Sequence, residues 1–295
     1  MSWLQVRVAT DGEHAERVES ILGDLGVTAV TLEDGGDQPL LEPRPGEAPL
    51  WEAVSVVGLF DAEVERETIA AALAPLEAEG HPLDLAFEQL PEREWSRVWL
   101  DDWQPLRFGQ RLWVTPGESP LPAEAGSEAV AIRLDPGLAF GTGTHVTTAL
   151  CLEWFDANPP AGEPVLDYGC GSGILAIAAL LLGATRATAV DIDPQALEAT
   201  HANAERNGVA ERVVTVEAAT LPAATWPMVV ANILAGPLIE LAPTFAGYQQ
   251  SGGRLVLAGV LADQADGVCA AFLPWYRIEV GAEREGWVRL EGVRR

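Results

Sequence analysis

Over residues 3–10 the apolar positions Trp3, Leu4, Val6 and Val8 largely alternate with polar ones, which predicts a strand with one buried face. Asp11 stands where a helix cap belongs, ahead of a helix over residues 13–25. Val18, Ile21, Leu22 and Leu25 share one face of that helix, and Gly26 ends it. Val27–Leu32 reads as a strand, Asp34–Pro49 as a Gly/Pro-rich loop, and Trp51–Phe60 as a strand. Glu63–Glu79 is helical, with Ile69, Ala72, Leu73 and Leu76 in period, and Leu83–Leu90 closes the series as a strand. The order β-α-β-β-α-β is the ferredoxin-like arrangement. No catalytic cluster falls in it, so residues 1–91 are expected to recognise or dock rather than react.

Trp95, Trp99 and Trp103 follow at four-residue spacing, which puts the indoles on one face of a linker helix over 92–108. That stripe suits either packing against a domain or an aromatic binding surface, and packing is the commoner use. Leu112–Val114 and Ala129–Leu134 read as strands. From Pro164 onward strands and helices alternate. The strands are Val165–Tyr168, Thr188–Ile192, Val213–Glu217, Met228–Ile233 and Arg254–Val260, and the helices lie near 173–182, 194–207, 237–248 and 262–272. These strands are continuous apolar runs, as in a parallel sheet covered on both faces. Arg277–Val280 and Trp287–Leu290 then form a terminal antiparallel hairpin. The chain is therefore expected to be α/β, with a doubly wound, Rossmann-like seven-stranded domain over 109–295 beside a smaller α+β ferredoxin-like domain.

Composition narrows the chemistry. Hydrophobic residues make up 48% of the 295, enough for two ordinary cores, but no apolar run approaches the ~20 residues of a membrane span. No signal peptide is evident, and Cys151, Cys170 and Cys269 form no CxxC pair or metal cluster, so a cytoplasmic, metal-free protein is expected. All 18 basic residues are arginine, which removes lysine nucleophiles and Schiff bases from consideration. The net charge of −26 opposes a broad nucleic-acid surface. It suits a basic partner, or a general acidic habit, since the acids are spread along the whole chain. No long apolar edge calls for a second copy, so a monomer is expected.

The chemistry concentrates at Gly169–Cys170–Gly171–Ser172–Gly173, which lies between the strand Val165–Tyr168 and a helix. The GK[ST] ending of a phosphate loop is missing, and the third glycine comes one residue too early for the dinucleotide pattern. GxGxG after an acidic strand end is instead the S-adenosylmethionine signature. The backbone of Gly169, Gly171 and Gly173 can lie against that cofactor with no side chain between. Asp191 follows Gly169 by 22 positions at the end of the next strand, where an acid accepts hydrogen bonds from ribose hydroxyls. Asp193 is its rival, with helix capping ahead of Pro194 as its other role. Asn232, ending the fourth strand, is placed to offer a carbonyl oxygen to an amine or to hold the cofactor's amino-acid end.

The segments Leu134–Thr148, Gly169–Gly173, Asp191–Pro194 and Asn232–Pro237 together resemble the signature of the bacterial ribosomal protein L11 methyltransferases, and the resemblance runs essentially end to end. It implies an N-terminal recognition domain, a linker helix and a class I methyltransferase domain. It also implies repeated methylation of lysine side chains and of the N-terminal α-amine of the large-subunit ribosomal protein L11. Cofactor contacts carried over by the resemblance fall on Thr148, Gly169, Asp191 and Asn232, with Phe140–Thr144 as a loop over the cofactor. Asn232 is the expected catalytic residue. His145 is a candidate base, although its setting among Gly and Thr also suits a role in orienting that loop, and water alone could take the proton. His14, His81 and His201 read as surface residues. The third strand ends Glu217–Ala218–Ala219, so no adenine-contacting acid stands out. The rival readings are a methyltransferase for nucleic acid or a small molecule, a nicotinamide-dependent oxidoreductase, and a non-catalytic ribosome-assembly factor.

Overall fold

A computed structural model describes residues 3–36, 50–78, 83–90, 104–117, 119–134 and 145–295. The chain divides into two compact units, Met1–Val98 and Trp99–Arg295. The tryptophans at 95, 99 and 103, His81, and the loop positions Phe140 and Thr144 lie outside the described residues.

The first unit runs β1 (Trp3–Asp11), α1 (Ala15–Asp24), β2 (Ala29–Asp34), β3 (Ala53–Asp61), α2 (Arg66–Ala78) and β4 (Asp84–Leu90). Its sheet has the order β2-β3-β1-β4, with every pairing antiparallel, which is the ferredoxin-like topology. Leu4, Val6 and Val8 of β1 are buried with Val18 and Leu22 of α1 and Ile69 and Leu73 of α2 in one core, as the alternation predicts. Gly26, at φ +79°, ends α1 by letting Val27 N reach back to the Leu22 carbonyl. The start of α1 differs from expectation. Asp11 is the last residue of β1, and the residue flanking the helix is His14. Asp11 Oδ1 accepts from His14 N at 3.0 Å and lies 2.6 Å from His14 Nδ1. His14 is thus tied into the turn rather than being a free surface group.

The second unit opens with a three-stranded sheet, β5 (Leu106–Phe108), β6 (Leu112–Pro116) and β7 (Val130–Leu134). A linker helix reaching residue 108 is therefore wrong at its end, because Leu106–Phe108 pairs with Leu112–Val114 as a strand. Next comes α3 (Val146–Ala157), a helix whose almost wholly apolar composition hides its period; residues 147–152 are all buried. The large sheet follows through β8 (Val165–Tyr168), α4 (Ile174–Leu181), β9 (Ala187–Asp191), α5 (Pro194–Arg206), β10 (Val213–Glu217), β11 (Met228–Asn232), α6 (Ala235–Gly247), β12 (Arg254–Leu261), α7 (Ala265–Phe272), β13 (Tyr276–Arg284) and β14 (Trp287–Arg294).

The seven strands lie in the order β10-β9-β8-β11-β12-β14-β13, parallel through β12 and antiparallel from β14. The order reverses between β8 and β11, so the crevice of this doubly wound sheet opens at their carboxyl ends. One core lies on each face of the sheet. Leu175, Ile177 and Ala178 of α4 are in one, and Leu238, Phe245, Phe272 and Tyr276 are in the other. The terminal hairpin is longer than its apolar centre suggests and turns tightly on Glu285 (φ +52°) and Gly286 (φ +77°). Among the described residues no helix is long and apolar enough to cross a membrane, and no cluster could hold a metal ion.

Candidate functional site

The loop between β8 and α4 is built from three left-handed glycines, Gly169 (φ +80°), Gly171 (φ +52°) and Gly173 (φ +79°). A Cβ at Gly169 would collide with Ile233 Cγ2, and one at Gly173 would lie 2.8 Å from Thr200 Cγ2. The sequence therefore uses glycine here for two reasons at once, the backbone conformation and the space. Helix α5 holds the loop from below. Thr200 Oγ1 donates to the Gly171 carbonyl at 3.0 Å, and Asn203 Nδ2 donates to the Ser172 carbonyl at 2.9 Å. Both side chains are buried. They are functional positions that motif reading missed, although a polar pair at i, i+3 on the buried face of α5 was their visible signal.

Asp191 ends β9 beside the loop. Its Oδ2 accepts from Gly171 N at 3.0 Å, and its Oδ1 accepts from Ile192 N at 2.8 Å and Asp193 N at 3.1 Å. The carboxylate is therefore oriented by backbone on two sides before any ligand arrives. Asp193 caps α5 through Gln195 N at 2.9 Å, with Pro194 in the first turn. The structure thus separates the two acids by their bonding. Ile192 between them is 85% exposed, an apolar platform at the mouth of the crevice.

The N–H groups of Gly169, Cys170, Gly171 and Gly173 all donate within the protein, to Val190, Val190, Asp191 and Cys170 respectively. Such a loop offers no nest of free donors to a phosphate. That chemistry opposes a dinucleotide and suits a cofactor without phosphates. Asp167, fully buried at the end of β8, points the same way. Its Oδ2 accepts from Ala176 N at 2.9 Å, while its Oδ1 is buried without a partner. Burial pushes its carboxyl up to about 7, and Asp191 nearby adds to the rise. Three bare glycines and an exposed apolar residue fit a nucleoside cofactor that carries no phosphate.

Across the crevice Asn232 ends β11, half-buried, and its Nδ2 donates to Thr148 Oγ1 on α3 at 3.2 Å. Thr148 is buried. The Asn232 Oδ1 has no partner among the described residues, so the amide's acceptor end is the uncommitted one. His145 is exposed and caps α3. Its Nδ1 accepts from Thr147 N at 3.4 Å and lies 2.8 Å from Thr147 Oγ1, while its ring meets Trp287 edge-on at 5.1 Å. The ring is thus held by the helix end, and only Nε2 is left to exchange a proton. His201 is exposed, 3.6 Å from Glu205. Glu217 is in register with Asp191 at the neighbouring strand end, and a short 3₁₀ turn over Ala218–Thr220 follows it. The structure brings Gly169, Gly171, Gly173, Asp191, Asn232 and Thr148 to one end of the sheet.

This strand order and this glycine loop define a class I, S-adenosylmethionine-dependent methyltransferase. The family profile described as ribosomal protein L11 methyltransferase (PrmA) matches residues 2–295. The chain belongs to that family. It is 50% identical over 296 residues to the ribosomal protein L11 methyltransferase of Pseudomonas aeruginosa (strain LESB58), covering 100% of this chain and 99% of the relative. The protein of that name from Edwardsiella ictaluri (strain 93-146) is 48% identical, with 100% of each covered. Among solved structures, the ribosomal protein L11 methylase of Lactobacillus delbrueckii subsp. bulgaricus superposes with a TM-score of 0.59 at 28% identity, over 65% of this chain and 98% of that one.

Proposed function

We propose that this enzyme methylates ribosomal protein L11, at lysine side-chain amines and at the N-terminal α-amine, with the first unit recognising the substrate. The observation that carries the reading is the match along the entire chain, ferredoxin-like unit included, to proteins named for that substrate. Charge supports it, because 44 acids against 18 arginines suit a basic protein partner and disfavour RNA. Some of those arginines are paired with acids of the same chain, as with Arg111 on Asp156 and Arg254 on Glu163.

S-adenosylmethionine supplies the methyl on a sulfonium that leaves readily, so neither a metal nor a covalent enzyme intermediate is called for. Gly169, Gly171 and Gly173 give the cofactor a bare backbone surface, and Asp191 receives the ribose hydroxyls on its remaining lone pairs. Thr148 completes the pocket beside Asn232, and Phe140 and Thr144 are assigned to the covering loop. Asn232 Oδ1 accepts a hydrogen from the incoming neutral amine and aims its lone pair. The amine sheds its proton to water, since burial near a cation lowers its pKa. His145, committed to the α3 cap, is left out of that step.

The test is incubation of the enzyme with methyl-labelled S-adenosylmethionine, separated ribosomal proteins and ribosomal RNA. Label on L11 alone, mapped to lysine and N-terminal amines, is expected. Label on RNA, on another protein, or on nothing rejects the reading.

A further inference from the structure

Arg289 is a buried cation that the reaction as described does not use. It sits on β14, donating to Glu291 Oε1 at 2.6 Å on its own strand, and its Nε has no partner. Among the described residues its one hydrogen bond outside the hairpin is to the Leu150 carbonyl, in the middle of α3, at 2.8 Å. A backbone carbonyl inside a helix already accepts from the N–H four residues on, so this bond is not needed to satisfy the helix. Burying an arginine costs desolvation that an apolar side chain of similar size avoids. The arrangement makes sense as a fixed spacer between hairpin and helix.

Two more contacts lie along the same helix. Trp287 meets the His145 ring at the α3 cap, and Arg284 NH2 reaches both carboxylate oxygens of Glu153, at 3.0 and 2.8 Å. At about 100° per residue, Thr148 lies roughly 140° around the helix from Glu153. Thr148 therefore faces away from the hairpin, toward Asn232. Its bond to the Asn232 amide is 3.2 Å, at the long end of the hydrogen-bond range. A displacement of α3 by a few tenths of an ångström would break it and free the amide to turn.

We propose that Arg289 is a positioning residue: by fixing α3 against the terminal hairpin it places Thr148, and through Thr148 it holds the Asn232 amide in place at the crevice. The consequence for catalysis rests on the reading of Asn232 given above, whereas the positioning itself does not.

The experiment compares Arg289→Met, Arg289→Lys and Tyr276→Phe. Tyr276 lies on the same hairpin, with its buried hydroxyl 3.0 Å from the Phe245 carbonyl and 2.9 Å from Gln249 Oε1, and so tests lost stability without touching α3. The first readout is the Asn232 side-chain amide pair in nitrogen-15 spectra of the cofactor-free protein, identified by its loss in Asn232→Asp. The second is kcat against KM for S-adenosylmethionine with L11 as acceptor. Arg289→Met is expected to move the amide resonances and lower kcat about tenfold, the loss of one oriented hydrogen bond, with cofactor KM changed by less than about threefold. Arg289→Lys restores most of both, and Tyr276→Phe leaves both unchanged. Should Arg289→Met not fold, Arg284→Ala removes an exposed contact of the same clamp and moves the same resonances less. An unmoved Asn232 amide, or Tyr276→Phe behaving like the arginine variants, overturns the proposal. A moved amide with unchanged kcat upholds the positioning and rejects the role given to Asn232.

Discussion

The two walls of the crevice are built in different ways. On the β8–β9 wall, glycines and backbone N–H groups do the holding: Gly171 N on Asp191, and Gly169 and Cys170 N on the Val190 carbonyl. On the β11 wall the contacts run between side chains distant in sequence, with Asn232 on Thr148 across 84 positions. The left-handed glycines of the first wall leave no room for a Cβ at Gly169 or Gly173, so that wall tolerates few substitutions there and fails sharply. The second depends on where α3 lies, and it should weaken by degrees.

Gly169→Ala is the sharpest way to test the first wall. The new methyl collides with Ile233 Cγ2, and φ stands at +80°. Left-handed strain of about 1–2 kcal/mol adds to an overpacking cost of about 1–3 kcal/mol. Calorimetric titration should show cofactor affinity falling by about a hundredfold or more. Ile233→Ala in the same chain should recover the overpacking share and leave the strain. Normal binding by the single variant would refute the view that this wall is set by backbone.

The buried acid beneath that wall gives a pH test. Asp167 has a folded-state pKa raised from 3.8 to about 7, so it holds its proton in the folded chain where the unfolded chain has lost it. Stability contributed by this group is therefore present below the unfolded value and declines as pH rises from about 4 to about 7. Asp167→Asn keeps an acceptor for Ala176 N and removes the titration. Urea unfolding at pH 4 and pH 8 should show the wild type losing a few kcal/mol relative to the variant over that interval. A constant difference at the two pH values would place the unpartnered Oδ1 in contact with something that the cofactor-free fold already supplies.

Thr148→Val sharpens the other wall. It removes the acceptor for Asn232 Nδ2 while keeping the branched shape, at a cost of about 1 kcal/mol. A kcat about fivefold lower with little change in cofactor affinity is expected. A large loss of cofactor binding instead would make Thr148 mainly a ligand of the cofactor rather than a support for Asn232.

What the sequence made legible follows the same division. The first wall is two short contiguous motifs, and spacing alone pointed to the glycines and Asp191 as candidates and to Asp193 as the cap that the structure shows. The ferredoxin-like order was equally open, because its strands alternate and its helices are amphipathic. Helix α3 was not legible, since Leu150, Cys151, Leu152, Trp154 and Phe155 are buried together with Thr147, Thr148 and Asp156, which leaves no clear polar stripe to count. With α3 hidden, the partner of Asn232, the cap held by His145 and the clamp from Arg284 and Arg289 were hidden too. The linker reading erred at Leu106–Phe108 because a three-residue strand is too short to carry a period. Asp11 misled for a related reason: an acid before a helix reads the same whether it accepts from the helix or from the turn before it.

The smallest expected effect separates two acids only two residues apart. Asp193 accepts from Gln195 N at the start of α5 and makes no bond to the glycine loop, whereas Asp191 accepts from Gly171 N. Asp193→Ala should therefore cost about 1 kcal/mol of stability, the usual value of a lost helix cap, and leave cofactor affinity within about twofold. Asp191→Ala should reverse the pattern. It frees three backbone N–H groups at the crevice mouth and removes the ribose acceptor, so titration should show affinity falling by about ten- to a hundredfold. Measured side by side, the pair decides whether the first wall ends at Asp191. If Asp193→Ala weakens the cofactor as much as Asp191→Ala does, the helix cap belongs to the binding site, and the orientation of α5, with Thr200 and Asn203 on it, becomes the element that sets the loop.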